Sequence, residues 1–249
     1  MGWFDRLFGK RAENGEDVAA AMTRAMEAFE HGDHAAALAI WGPLAHAGIG
    51  RAQNNIGACF AEGFGVERDP ALALRWLTLA AESGDPVGQR NLAALHFKGE
   101  GVAQSDDEAL RLYRLAAEQG DGPAQDMLSW MLLEGGRVTD RAEALRWAQA
   151  AAEAGIATSM TRLGMIHHDA LGVERDAARA VQWWQRGVAA GDPDSEAMLG
   201  AATLLGQGVQ QDAGRALALL LSAEGKGSLL AAPFVKAARD AASATEAAP

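Results

Sequence analysis

Six glycines divide most of this chain at nearly equal intervals. Gly48, Gly84, Gly120, Gly155, Gly191 and Gly227 are separated by 36, 36, 35, 36 and 36 residues. A fixed interval of this size restricts a chain to a stack of like units, each too small to bury its apolar face without its neighbours. The stretch Ala52 to Gly84, AQNNIGACFAEGFGVERDPALALRWLTLAAESG, shows what one unit contains. Ala52, Ile56, Gly57 and Phe60 fall on one face of a helix. Gly63-Phe64-Gly65-Val66 breaks that helix, because glycine supplies a left-handed backbone that other residues resist. Asp69-Pro70 starts a second helix, with a capping carboxylate followed by a proline whose missing N–H costs nothing at the first helical position. Ala73, Trp76, Leu77, Ala80 and Ala81 form its inner face. No β-branched alternation interrupts the unit. Each unit therefore reads as two antiparallel helices meeting at small residues.

The pattern returns at Gly88–Gly120, Ala124–Gly155, Ala157–Gly191 and Glu196–Gly227. Leu92, Gly99, Gly101, Val102, Ala116 and Ala117 keep it in the second copy, and Leu128, Gly135, Trp147, Ala151 and Ala152 in the third. Leu163, Gly164, Gly172, Val173, Asp176 and Trp183 keep it in the fourth, and Leu199, Gly200, Gly206, Gly208, Val209 and Asp212 in the fifth. The order of glycines, aromatic and alanines resembles the Sel-one-like repeat, a subclass of tetratricopeptide-like solenoids. That resemblance implies an all-α, right-handed superhelical solenoid of antiparallel helix pairs. It also implies a non-enzymatic adaptor role, mostly in bacteria, with a protein or peptide partner in a concave groove.

Around the five copies, spanning 49–227, the expected organisation is a tail over 1–16, a looser tetratricopeptide-like pair over 17–48, a capping helix over 228–241 and a tail over 242–249. Leu229, Leu230, Phe234, Val235 and Ala238 are expected to be the buried side of the capping helix, and Pro43 is expected to kink the helix that holds it. The segment Met1 to Arg11 has no secretory h-region, but Trp3, Phe4, Leu7 and Phe8 share a helical face beside Arg6, Lys10 and Arg11. A peripheral membrane contact there is one alternative to a soluble adaptor. The expected compartment is the cytoplasm, with the inner membrane surface as its variant.

Composition removes several functions. A net charge of −11 leaves no basic stripe for nucleic-acid phosphates. The lone Cys59 occupies a core position and cannot form the disulfide pairs of some secreted relatives, which suggests a reducing compartment. The Gly-x-Gly turns lack the third glycine and preceding strand of a dinucleotide fingerprint, so no cofactor is expected. His31, His34, His167 and His168 do not gather a third ligand, so no metal is expected. A hydrolase, claimed for disulfide-rich relatives, would need a base beside Ser129 or Thr161, and none is evident.

The residues that packing does not dictate carry the remaining information. On the first helix of each unit, an outward stripe reads Asn54, Ala58, Ala61; Arg90, Ala94, Phe97; Asp126, Trp130, Leu133; Thr161, Met165, His168; and Ala197, Ala201, Leu204. Asn55 and Asn91 stand beside it, with Met127, Arg162 and Met198 in their place later. By resemblance to tetratricopeptide arrays this stripe lines the groove. The expected partner-binding residues are Asn54, Asn55, Arg90, Asn91, Phe97, Asp126, Trp130, Leu133, Arg162, Met165 and His168, with the apolar members at the centre.

Overall fold

The computed structural model describes residues 17–135 and 140–246. Expectations for the segment 1–16 and for residues 247–249 lie outside the described residues. Among those described, thirteen helices follow one another without a strand, so the fold is all-α. The chain divides into two compact units, residues 1–124 and 125–249.

In the first unit the pairs are α1 (Val18–Glu30) with α2 (His34–His46), α3 (Gly50–Glu62) with α4 (Pro70–Glu82), and α5 (Pro86–Lys98) with α6 (Asp106–Glu118). The boundary falls in the first turn of α7 (Gly122–Glu134). The second unit continues with α8 (Arg141–Glu153), the pair α9 (Ala157–His168) and α10 (Ala177–Ala189), the pair α11 (Pro193–Leu205) and α12 (Ala213–Gly225), and α13 (Ala232–Glu246). Neighbouring helices pack on one another from α1 to α6 and from α8 to α13, and first helices of successive pairs also touch, α3 on α5 and α9 on α11.

The local chemistry explains why the helices start and stop where they do. Asp17, Asp33, Asp69, Asp85, Asp121, Asp176, Asp192 and Asp212 each accept a backbone N–H of the first turn that follows. Such caps contribute about 1 kcal/mol apiece. Eight of the 33 acidic residues thus act as helix caps. The periodic glycines all hold φ between +84° and +92°, immediately after each second helix. At the other turn, a Cβ on Gly208 would lie 2.2 Å from the carbonyl oxygen of Ala177, so the Gly-x-Gly loop presses on the start of the preceding pair's second helix.

The two helices of a pair approach most closely at a recurring small residue. A Cβ on Gly57 would meet the Leu77 side chain at 2.8 Å, and one on Gly164 would meet the Trp184 indole at 2.1 Å. Around these crossings Ile56, Phe60 and Trp76 are buried in the first unit, and Leu163, Ile166 and Trp184 in the second. Each such side chain contributes about 1.5–3 kcal/mol of apolar burial. Glutamines add a polar link between pairs, with Gln53 Nε2 donating to Ala45 O at 3.1 Å and Gln89 Nε2 to Ala81 O at 3.4 Å.

Several sequence expectations are corrected. The C-terminal helix is Ala232–Glu246, with Pro233 in its first turn, so the expected tail is helical as far as residue 246. Leu229 and Leu230 precede it and are 86% and 38% exposed, because the chain turns there before the helix forms; Phe234, Val235 and Ala238 do pack inward. The looser first pair is held by an aromatic cluster that sequence periodicity does not show. Phe64, from the turn after α3, meets Phe29 edge-on at 5.5 Å and the His34 ring at 5.3 Å, while Phe29 packs on Trp41 at 5.5 Å.

Candidate functional site

The outward stripe behaves differently in the two units. In the first, its polar members are tied to one another. Asn91 Nδ2 donates to Asn54 Oδ1 at 2.8 Å, and Asn54 Nδ2 donates to Asn55 Oδ1 at 3.1 Å. Asn54 and Asn55 are buried rather than outward-facing, because α3 and α5 approach closely enough to cover them. Arg90 Nη1 bonds both carboxylate oxygens of Asp121 at 3.0 Å. Asp121 also caps α7 through the Ala124 N–H, so one carboxylate serves as cap and as counter-ion. Arg51 and Asp85 repeat the arrangement one pair earlier, at 2.9 Å. Phe97 is half-buried.

In the second unit Asp126 gathers three donors from α9: Thr158 Oγ1 at 3.1 Å, Ser159 Oγ, and Arg162 Nη2 at 3.1 Å. Asp126 and Arg162 thereby fasten α7 to α9. The Arg162 Nε is buried with no hydrogen-bond partner. Trp130, Leu133 and Met165 are half-buried. His168 is held on both ring nitrogens, by Asp169 Oδ1 at 2.6 Å and Gln207 Oε1 at 2.8 Å, and stacks near Trp184. Thr161, Ala197, Ala201 and Leu204, expected on the outward stripe, are buried, Ala197 and Leu204 in a cluster with Leu220 of α12 and Ala238 of α13.

A cavity falls on this stripe in the second unit. It encloses about 230 Å³ and is lined by Thr158, Thr161, Arg162 and Met165 of α9, by Asp192 and Asp194 at the start of α11, and by Leu230. Thr161 Oγ1 donates to Asp192 and lies against Ser195 Oγ, while Asp192 Oδ2 accepts the Ser195 N–H at 2.7 Å to cap the helix. Asp194 Oδ1 accepts from Ser228 Oγ at 2.6 Å. Trp184 Nε1 donates to Thr161 O at 3.3 Å and fixes the α9 backbone behind the cavity. Met165 and Leu230 form its apolar side. Sequence reasoning missed Asp192, Asp194 and Leu230, since a capping aspartate reads as purely local and a loop leucine carries no period.

The other reactive groups have structural placements. Ser129 is fully buried and donates to Ala144 O at 2.8 Å, filling the crossing position that Gly57 and Gly164 fill elsewhere. Burial pushes the Cys59 thiol up to about 11, which keeps it protonated and unreactive at neutral pH. His167 lies in the core, where burial and then the nearby Arg179 hold its pKa below the usual histidine value. His31 Nδ1 bonds Glu27 O at 2.6 Å, and His34 belongs to the aromatic cluster. Among the described residues no helix is long and apolar enough to cross a membrane.

The comparisons with known proteins agree with this architecture. The sequence model of the Sel1 repeat matches five times, over residues 50–85, 86–121, 122–156, 157–192 and 193–228. A Sel1 repeat protein from Oxalobacter formigenes is similar in structure, with a TM-score of 0.81 and 29% identity over 86% of each chain. A protective antigen of uropathogenic Escherichia coli strains, described as displaying an SLR fold, gives 0.74 at 29% identity over 86% of this chain and 47% of that one. A Sel1 repeat protein from Klebsiella pneumoniae gives 0.50 at 21% identity over 80% of this chain and 97% of that one, a likeness of fold alone. No functionally curated protein matches in sequence.

Proposed function

This chain belongs to the Sel1 repeat family, whose members generally mediate protein–protein interaction, and from that premise we propose that it is a non-enzymatic adaptor capturing a protein or peptide partner on its second unit. The observation that carries this reading is the cavity at Met165. It falls on the stripe that repeat packing leaves undetermined, and its apolar side is formed by Met165 and by Leu230, which is 38% exposed. An exposed leucine next to a walled recess gains about 1.5–3 kcal/mol when a partner covers it. Trp130 and Leu133 extend the apolar surface along α7, and in the first unit Phe97 holds the corresponding place on α5. The absence of catalysis is supported by the placement of Ser129 and Thr161. Both hydroxyls are buried and bonded to structural acceptors, Ser129 to the Ala144 carbonyl and Thr161, in the cavity wall, to the capping Asp192.

Affinity purification with quantitative mass spectrometry tests the reading, using the parent chain and the variants Met165→Ala, Trp130→Ala and Phe97→Ala. The expected result is unchanged helical content with at least a tenfold loss of the main partner for Met165→Ala and Trp130→Ala, as for residues at the centre of an interface. Partners retained in full by Met165→Ala and Trp130→Ala overturn it.

A further inference from the structure

The recurring positions of the repeat give the second-unit cavity an electrostatic signature. Asp85, Asp121 and Asp192 each cap the first helix of a repeat. The first two carry a counter-ion on the preceding first helix, Arg51 for Asp85 and Arg90 for Asp121. The residue that corresponds to Arg90 beside Asp192 is Thr161, a neutral hydroxyl. Asp192 is 9% exposed, and among the described residues neither it nor Asp194 has an ion-pair partner. The one cation in the cavity wall, Arg162, is paired with Asp126. The four charged groups of the cluster, Arg162 with Asp126, Asp192 and Asp194, therefore sum to −2. A carboxylate largely removed from water is costly without a counter-charge.

From this we infer that the cavity receives a lysine or arginine side chain of the protein partner, which supplies the counter-charge that Arg90 provides to Asp121. The inference rests on the adaptor reading above and adds the chemistry of the partner. Met165 and Leu230 would cover the alkyl stem, and Asp192 and Asp194 would take the charged head, the division by which long cationic side chains bury their stems. A cation at this depth is screened less by salt than one on the surface.

The test uses full-length protein carrying methyl-13C methionine, with the Met165 resonance as reporter. The probes are N-acetylated, C-amidated pentapeptides Ser-Ala-X-Ala-Ser, blocked so that neither terminus offers a charge, with X as lysine, arginine, norleucine or glutamate. The expected result is that lysine or arginine peptides shift Met165 with at least tenfold higher affinity than norleucine, and that glutamate has no effect. Asp194→Asn should weaken the basic peptides at least fivefold. Asp106→Asn, which removes an equal charge from the exposed start of α6, should leave them unchanged. Thr161→Arg should rebuild the Arg90–Asp121 arrangement and exclude the basic peptides; Asp194→Asn still decides the matter if that variant fails to fold. Equal binding of norleucine and lysine peptides overturns the inference while leaving the adaptor reading intact. Equal weakening by Asp106→Asn assigns the effect to net charge and overturns it as well. No shift with any peptide overturns it too, and the affinity purification then decides separately whether the adaptor reading stands.

Discussion

Asn54 and Asn55 of the first Sel1 repeat and Thr161 and Arg162 of the fourth occupy the same two positions in the repeat, but they do different things. In the first unit the asparagines close a chain of amides with Asn91 and are covered. In the second, Thr161 meets a carboxylate and Arg162 reaches back to Asp126, and both line an open recess. The framework around them is the same: a small residue at the helix crossing, an aspartate cap and a glycine closing the pair. The comparison separates two kinds of position. Those fixed by the closeness of the backbones admit only small residues, whereas those on the stripe admit any side chain whose polar groups find partners.

The largest effect is expected where the two units share a position under different strain. Gly164→Ala places a methyl against the Trp184 indole, and Gly57→Ala places one against the more compliant Leu77 side chain. Overpacking of this kind costs about 1–3 kcal/mol, so urea denaturation should show Gly164→Ala near the upper end and Gly57→Ala near the lower. Equal losses would mean that the crossing is not what distinguishes the two pairs.

A smaller effect of opposite sign is expected at the end of α9. Ala170 holds φ +57° at the place where Gly63, Gly99 and Gly206 end their helices in the left-handed conformation. A non-glycine residue there costs roughly 1 kcal/mol, so Ala170→Gly should stabilise the protein by up to about that amount, while Gly63→Ala should destabilise it comparably. Melting temperatures that move the same way for both variants would refute the correspondence.

The smallest effect is a pH dependence. His167 has a folded pKa below the ordinary histidine value of 6.5, owing first to burial and then to Arg179. The unfolded chain thus binds the proton more readily than the folded one. The neutral ring's contribution is complete above pH 6.5 and is lost as pH falls below that value. His167→Phe, which copies Phe60 at the same repeat position, should flatten the loss of stability as pH falls below 6.5. An unchanged slope in that window would show that other groups govern it.

Much of the fold was legible from residue spacing because its causes are local. The closing glycines, the aspartate caps and the small residues at the crossings each follow from a steric or hydrogen-bonding demand within one helix pair. His167 could be assigned to the core from its place in the period, and burial holds it there. The candidate site was legible only in outline. Spacing puts Met165 on the stripe and Arg162 beside it, but it puts Asn54 on the stripe and Asn55 beside it as well, since periodicity gives the direction of a side chain and not the distance to the next helix. Asp192, Asp194 and Leu230 enter the site from sequence positions 30 or more residues beyond Thr161.

What the sequence by itself determined was the repeating helix pair, because each of its signals acts over a few residues of backbone. What only the tertiary structure decided was which capping aspartate keeps its counter-ion and which faces a recess without one. That distinction depends on side chains from successive pairs meeting across space. Arg90 reaches Asp121 at 3.0 Å, and Thr161, at the matching place, brings Asp192 a hydroxyl and no charge.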